Sequence, residues 1–179
     1  KEISNTAQEL QMLSTNILNW IKYQNKNRRM LPEQIRPAEI VTQVFGILAP
    51  LAREKQINLV NTIAPALEMY QYEEALRILI YNLLTNAINF TEKGTITVGA
   101  VSTGTAHEIF VQDQGMGMTT EQVANLLSAE TIISSANTGH RKGNGLGYLI
   151  IKDLLKMMDA AISISSEKGK GTTVTIQFA

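Results

Sequence analysis

Asn82 and Asn86 stand four residues apart in an apolar stretch, ILIYNLLTNAINFTEKG, that begins at Ile78. On a helix that spacing puts both amides on one face. Asparagine is a mediocre helix former, because its amide competes for backbone groups. Its carbonyl oxygen is a hard ligand, suited to a Mg²⁺ ion that phosphates also hold. Two solvated asparagines on an exposed edge are the plain alternative. Further along, Asp113-Gln114-Gly115-Met116-Gly117 follows the apolar run Ile109, Phe110, Val111. A carboxylate fixed at a strand end accepts hydrogen bonds, and the amino group of adenine is one such donor. The glycines let a ligand approach the backbone closely. An ordinary turn aspartate would read the same way. Gly143-Asn144-Gly145-Leu146-Gly147 opens an amphipathic stretch, with Arg141 and Lys142 just before it. Free N–H groups at a helix start form an anion site, and a flexible loop is the alternative. The spacing is not Gly-x-Gly-x-x-Gly and there is no Walker lysine, so neither the dinucleotide fingerprint nor the P-loop applies. Last comes Gly169-Lys170-Gly171-Thr172, which a tight hairpin explains equally well.

These residues need elements to hold them. Leu76, Leu79, Ile80, Leu83, Leu84, Ala87 and Ile88 form a helical stripe, which predicts a helix from Glu73 to a stop at Gly94. Residues 38–55 predict a helix with Ile40, Val41, Val44, Ile47, Leu48 and Leu51 inward, kinked or restarted at Pro50. Strands are expected over 57–63, 95–102, 107–113, 161–166 and 172–178, with a short helix over 120–127 and a longer one from the Gly143 motif to about Met158. Residues 32–37 read as a linker with a short strand. Over residues 1–31, Ile3, Leu10 and Ile17 alternate with Thr6, Leu13 and Trp20. That is a seam of about three heptads on a long helix, fit for packing on the next domain or for a bundle.

Composition excludes several classes. The formal net charge is +0, against the basic footprint of a nucleic-acid binder. There is no cysteine, so disulfides and thiolate metal sites are out. No apolar run approaches the roughly 18 residues of a membrane span, so no direct membrane contact is expected. Because the chain starts at Lys1, it is expected to be part of a longer protein.

The order and separation of the four motifs is more specific than any one of them. Over residues 37–179 the chain resembles the catalytic, ATP-binding domain of sensor histidine kinases, in the superfamily of gyrase, Hsp90 and MutL. Asn82-Leu83-Leu84-Thr85-Asn86-Ala87 resembles the N box. Asp113 to Met118 and Gly143 to Gly147 resemble the two glycine boxes, and Gly169 to Thr172 the closing glycine-threonine turn. The resemblance implies an α/β two-layer sandwich: a mixed sheet of about five strands, three helices on one face, and one long N-terminal helix before it. It implies ATP and Mg²⁺ as cofactors. Asp113 would take the adenine amino group, Asn86 with Asn82 the Mg²⁺, and Gly143, Gly145 and Gly147 the phosphates, while Thr172 would support the adenine edge. The full ATP set implied also includes Asn89, Gly115, Gly117, Met118, Arg141, Lys142 and Leu146.

Residues 1–36 resemble the second helix of the kinase dimerisation hairpin with its linker, which implies a homodimer in the full-length protein. A response-regulator receiver domain is the implied partner and the cytoplasm the implied compartment. The family's phosphoacceptor histidine belongs on the first helix of that hairpin. The histidines present are His107 and His140, neither in a helical acceptor motif. Two departures stand out. Asn89 occupies the place of an N-box lysine, which Lys93, Arg141 or Lys142 could replace. The segment 119–142 has no phenylalanine, so Leu126 and Leu127 would fill that lid position. Residues 118–142 read as a mobile lid that closes over nucleotide. A degenerate, nucleotide-binding platform and an anti-sigma-type serine kinase remain the alternatives.

Overall fold

The computed structural model describes residues 31–103, 106–127 and 146–178, and for 146–150 the backbone alone. The expected helix over 1–31 lies outside the described residues, save for Leu31. In chain order the elements are β1 (Glu33–Ile35), α1 (Pro37–Glu54), β2 (Ile57–Asn61), β3 (Met69–Gln71), α2 (Glu73–Phe90), β4 (Gly94–Thr103), β5 (Ala106–Asp113), α3 (Thr120–Leu127), α4 (Leu146–Met157), β6 (Ala160–Glu167) and β7 (Gly171–Phe178).

Five strands form one sheet in the order β2-β4-β5-β7-β6, and β1 and β3 form a separate antiparallel pair. β2 and β4 run parallel, and the other neighbours run antiparallel. This is the mixed sheet that the resemblance implies. A parallel pair needs a long crossover, and α2 lies in that crossover between β2 and β4. The side-chain period of a strand is two, so the register defines rows across the sheet. One row runs Ala100, Ile109, Ile176, Ile162, and the next Val98, Val111, Val174, Ile164. Ile109, Val111, Ile176 and Val98 are buried against Val44, Leu76, Leu79, Ile80, Leu84, Ile88, Ile151 and Leu154 of the helices. The opposite face carries Thr97, Gln112, Thr173, Thr175 and Ser163. Hence one face is core and the other is polar, and the domain has two layers. α1 packs on α2 and β2, α2 also on α4, and α4 and α3 on β6.

Pro37 sits in the first turn of α1, where its missing N–H costs nothing. The break expected at Pro50 does not occur, because α1 runs through it to Glu54. Pro50 and Gly46, four residues before it, are both exposed. The carbonyl that loses its partner therefore faces water, and a glycine stands where the proline ring crowds the preceding turn. β2 stops at Asn61, short of the expected Ile63. There Asn61 Nδ2 donates to the Ala38 carbonyl at 3.0 Å and its Oδ1 accepts from the Ile63 N–H at 3.1 Å, so the chain turns off the sheet. β3 was not expected at all. Three residues are too few for a visible alternation, and its partner β1 is more than 30 residues away.

Candidate functional site

The row after Val98 and Val111 is where the apolar face of the sheet ends. It runs Ile96, Asp113, Thr172, Ser166. Strand periodicity alone carries Asp113 inward, since Ile109 and Val111 precede it at two-residue steps. Its side chain is buried, at 9 % exposure. One oxygen, Oδ1, accepts from the Gly115 N–H at 2.8 Å and from the Thr172 N–H at 3.3 Å. The other carboxylate oxygen takes no hydrogen bond from the described residues. Burial pushes the Asp113 pKa up, and the two backbone hydrogen bonds oppose that only in part.

Ser166 closes the row. Its Oγ accepts from the Met118 N–H at 2.8 Å and donates to the Gly171 carbonyl at 3.1 Å. The serine has one hydroxyl hydrogen, so in its 2.8 Å bond with Thr172 Oγ1 the threonine is the donor. Thr172 Oγ1 then keeps its lone pairs for accepting. The hairpin between β6 and β7 also grips the first glycine loop, with the Gly169 N–H donating to the Met116 carbonyl at 2.7 Å. The glycines there are required by contact. A Cβ on Gly117, at φ +63°, would lie 2.0 Å from the Glu167 carbonyl oxygen, and one on Gly115 would lie 2.4 Å from that of Phe90.

The α2 helix reaches the same corner from the other layer. The Met116 N–H donates to the Phe90 carbonyl at 3.1 Å, which joins the end of α2 to the loop after Asp113. Asn82 and Asn86 are not equivalent. Asn82 is 2 % exposed, and its Nδ2 donates to the Ile78 carbonyl at 2.8 Å. Asn86 is exposed. Asn89 is half-buried, and its carbonyl accepts from Lys55. Among the described residues no cluster of His, Cys, Asp or Glu could hold a metal ion. A divalent ion at this corner would need amide and phosphate oxygens.

The structure thus brings Asp113, Gly115, Gly117, Met118 and Thr172 together, with the end of α2 joined to them. Leu146 and Gly147 begin α4 as expected. Arg141, Lys142, Gly143 and Gly145 lie outside the described residues, as does 128–142 of the expected lid. Lys93 is exposed beyond the end of α2. In α3, Leu126 packs against the core while Leu127 is exposed. The sequence reading missed Ser166, whose role appears only in the cross-strand register. It also missed Phe90, a 41 % exposed aromatic residue whose carbonyl takes the Met116 N–H. An aromatic residue at the end of an otherwise buried stripe was the available signal.

The raised pKa of Asp113 has a pH consequence. A carboxyl whose folded pKa lies above its unfolded value adds stability that is present below the unfolded value and is lost as pH rises through the folded one. A purine amino group needs the ionised oxygen. If Asp113 takes the adenine amino group, as the resemblance implies, adenosine affinity is expected to fall on acidification at a pH above the ordinary aspartate range. Titrating adenosine across a pH series, with Asp113→Asn as the pH-insensitive reference, checks this.

Comparison with known proteins bears on the fold and the lineage. Residues 71–179 match the family model described as histidine kinase-, DNA gyrase B-, and HSP90-like ATPase. Sensor histidine kinase RcsC of Escherichia coli (strain K12) is 29% identical over 178 residues, which is 98% of this chain and 19% of RcsC. The chain thus spans about a fifth of the length of that relative. Full-length ShkA, solved in complex with AMPPNP, superposes with a TM-score of 0.76 at 22% identity, covering 97% of this chain and 36% of ShkA. The histidine kinase AdeS of Acinetobacter baumannii gives 0.72 at 16% identity, covering 100% of this chain and 82% of AdeS. The two structures support the fold and the family model the lineage: this chain belongs to the histidine kinase-, DNA gyrase B- and HSP90-like ATPase family.

Proposed function

We propose that this chain is the ATP-binding kinase part of a two-component sensor histidine kinase. It binds ATP with Mg²⁺ and passes the γ-phosphoryl group to a histidine on another helix. In that step the bond from the γ-phosphorus to the ADP oxygen breaks and a bond to an imidazole nitrogen forms. The observation that carries the reading is Asp113. It is a buried carboxylate with one oxygen tied to two backbone N–H groups and the other available, beside the Thr172 hydroxyl. That acceptor set fits the edge of adenine, whose amino group donates. Asn86, with Asn82 behind it, offers hard amide oxygens to Mg²⁺. When bound, Mg²⁺ spreads the charge that builds on the phosphates. Gly143, Gly145 and Gly147, with Arg141 and Lys142, are proposed to wrap the phosphates at the start of α4, and Asn89 and Leu146 to complete the set. Transfer of this kind rests on positioning and charge stabilisation more than on a protein base.

Residues 1–36 are proposed as the dimerisation helix and linker, and 37–179 as the ATP-binding domain. β1 of that linker is fastened to β3. A response-regulator receiver aspartate is the proposed final acceptor, within a homodimeric parent, and the cytoplasm the proposed compartment. No described helix is long and apolar enough to cross a membrane.

ATP-hydrolysing relatives carry a glutamate where this chain has Asn82, whose amide nitrogen is spent on its own helix. Hydrolysis is therefore expected to run far below the ~1 s⁻¹ usual for enzymes. Labelled ATP is expected to leave the chain alone unlabelled and to label a separately supplied acceptor helix. Fast hydrolysis without transfer would reverse the reading in favour of an ATPase.

A further inference from the structure

We infer that Lys55 is a positioning residue for the metal and phosphate half of the nucleotide site. The inference rests on the ATP reading above. Lys55 lies between α1 and β2, far from the four motifs in sequence. Its Nζ donates to the Ile88 carbonyl at 2.7 Å and to the Asn89 carbonyl at 3.1 Å. The last carbonyls of a helix have no partner within the helix. α2 has Glu73 and Glu74 in its first turn and no basic residue in its last. Its terminal turn is therefore capped from another element. The next carbonyl, that of Phe90, takes the Met116 N–H. Three consecutive carbonyls are thus engaged, two by an ammonium and one by the glycine loop after Asp113. Asn86 stands two residues before the first of them.

Two consequences follow from this clamp. Mechanically, it fixes the turn that carries Asn86 relative to the Asp113 loop, so the amide and the carboxylate keep their spacing. Electrostatically, the C-terminus of a helix is its negative pole. A triphosphate brought against that pole is repelled, and the Lys55 charge offsets the repulsion. Both effects act on metal and phosphates. Neither acts on the adenosine part, which Asp113 and Thr172 would hold. The same cation stands close to the backbone of Asn89, where relatives of the resembled family carry an N-box lysine.

The test is a pair of affinities, for MgATP and for adenosine, measured by calorimetry on wild type, Lys55→Met and Lys55→Arg. Supporting residues behind a metal site are worth about tenfold in affinity or more. Lys55→Met is expected to weaken MgATP by about that factor and to leave adenosine unchanged. Lys55→Arg, which keeps the charge and the donors, is expected to recover most of the loss. Should Lys55→Met fail to fold, Lys55→Gln is read in the same way. A merely structural role would weaken both ligands equally. That equal loss, or unchanged MgATP affinity, or Lys55→Arg falling as far as Lys55→Met, would overturn the assignment. If wild type binds neither ligand, the ATP reading itself has failed and this assignment fails with it.

Discussion

Replacing Asp113 with asparagine is expected to weaken nucleotide binding by about 100-fold or more while the fold stays as stable as before. The two effects separate because the two carboxylate oxygens have different work. Oδ1 accepts from the Gly115 and Thr172 N–H groups. An asparagine oxygen can keep both bonds, so no buried donor is orphaned. The other oxygen becomes an amide nitrogen, a donor set against the donor of adenine. A hydrogen bond to a charged group is worth about 1.5–3 kcal/mol, and opposing two donors adds to the loss. The substitution also removes a buried charge, which favours folding at neutral pH. Asp113→Ala is the contrasting variant, because it leaves the buried Gly115 N–H without an acceptor, at about 1–3 kcal/mol, and the part-buried Thr172 N–H as well. Titration of ATP together with urea unfolding checks both. Equal affinity for Asp113→Asn and wild type would remove the purine role from Asp113.

Gly171→Ala is expected to cost about 2–6 kcal/mol of folding stability, the sum of backbone strain and steric overlap. Gly171 has φ +110°, and a Cβ there would lie 2.1 Å from the Asp113 carbonyl oxygen. That atom belongs to the backbone of the neighbouring strand and has no room to move aside. A loss of that size is a large part of the roughly 5–15 kcal/mol that holds a domain together. Gly169 supplies the control. Its φ is +82°, but a Cβ there would meet nothing within 4 Å. Gly169→Ala is expected to cost only the strain of a left-handed residue, about 1–2 kcal/mol. Urea midpoints of the two variants decide the matter. If Gly169→Ala is as damaging as Gly171→Ala, backbone conformation and not contact sets the requirement.

The two glycines also show what a sequence can disclose. Gly169-Lys170-Gly171-Thr172 is visible as a turn, yet nothing in it says that one glycine sits in open space and the other against Asp113. The same holds elsewhere in the site. The inward direction of Asp113 is legible, because Ile109 and Val111 set the alternation. The stripe from Leu76 to Ile88 is legible for the same reason at helical period. Ser166 and Lys55 are not, because their roles depend on partners that only folding brings near, across 48 residues to Met118 and 33 to Ile88. Asn82 and Asn86 are legible as a pair. Their division into one buried and one exposed amide depends on where the flanks of α2 meet α1 and α4. Pro50 misleads in the other direction. Its local rule is sound, but the exposed side of α1 tolerates the lost bond.

The proposed nucleotide site is a corner where a sheet-end carboxylate would take a purine and a helix-end amide its metal. Calorimetric titration of the wild-type chain with ATP, with Mg²⁺ and then with EDTA, tests it most directly. The expected result is saturable one-to-one binding that weakens when the metal is removed and weakens by about 100-fold or more in Asp113→Asn. Absence of saturable heat from a folded wild-type chain, or binding indifferent to both the metal and Asp113, would contradict it.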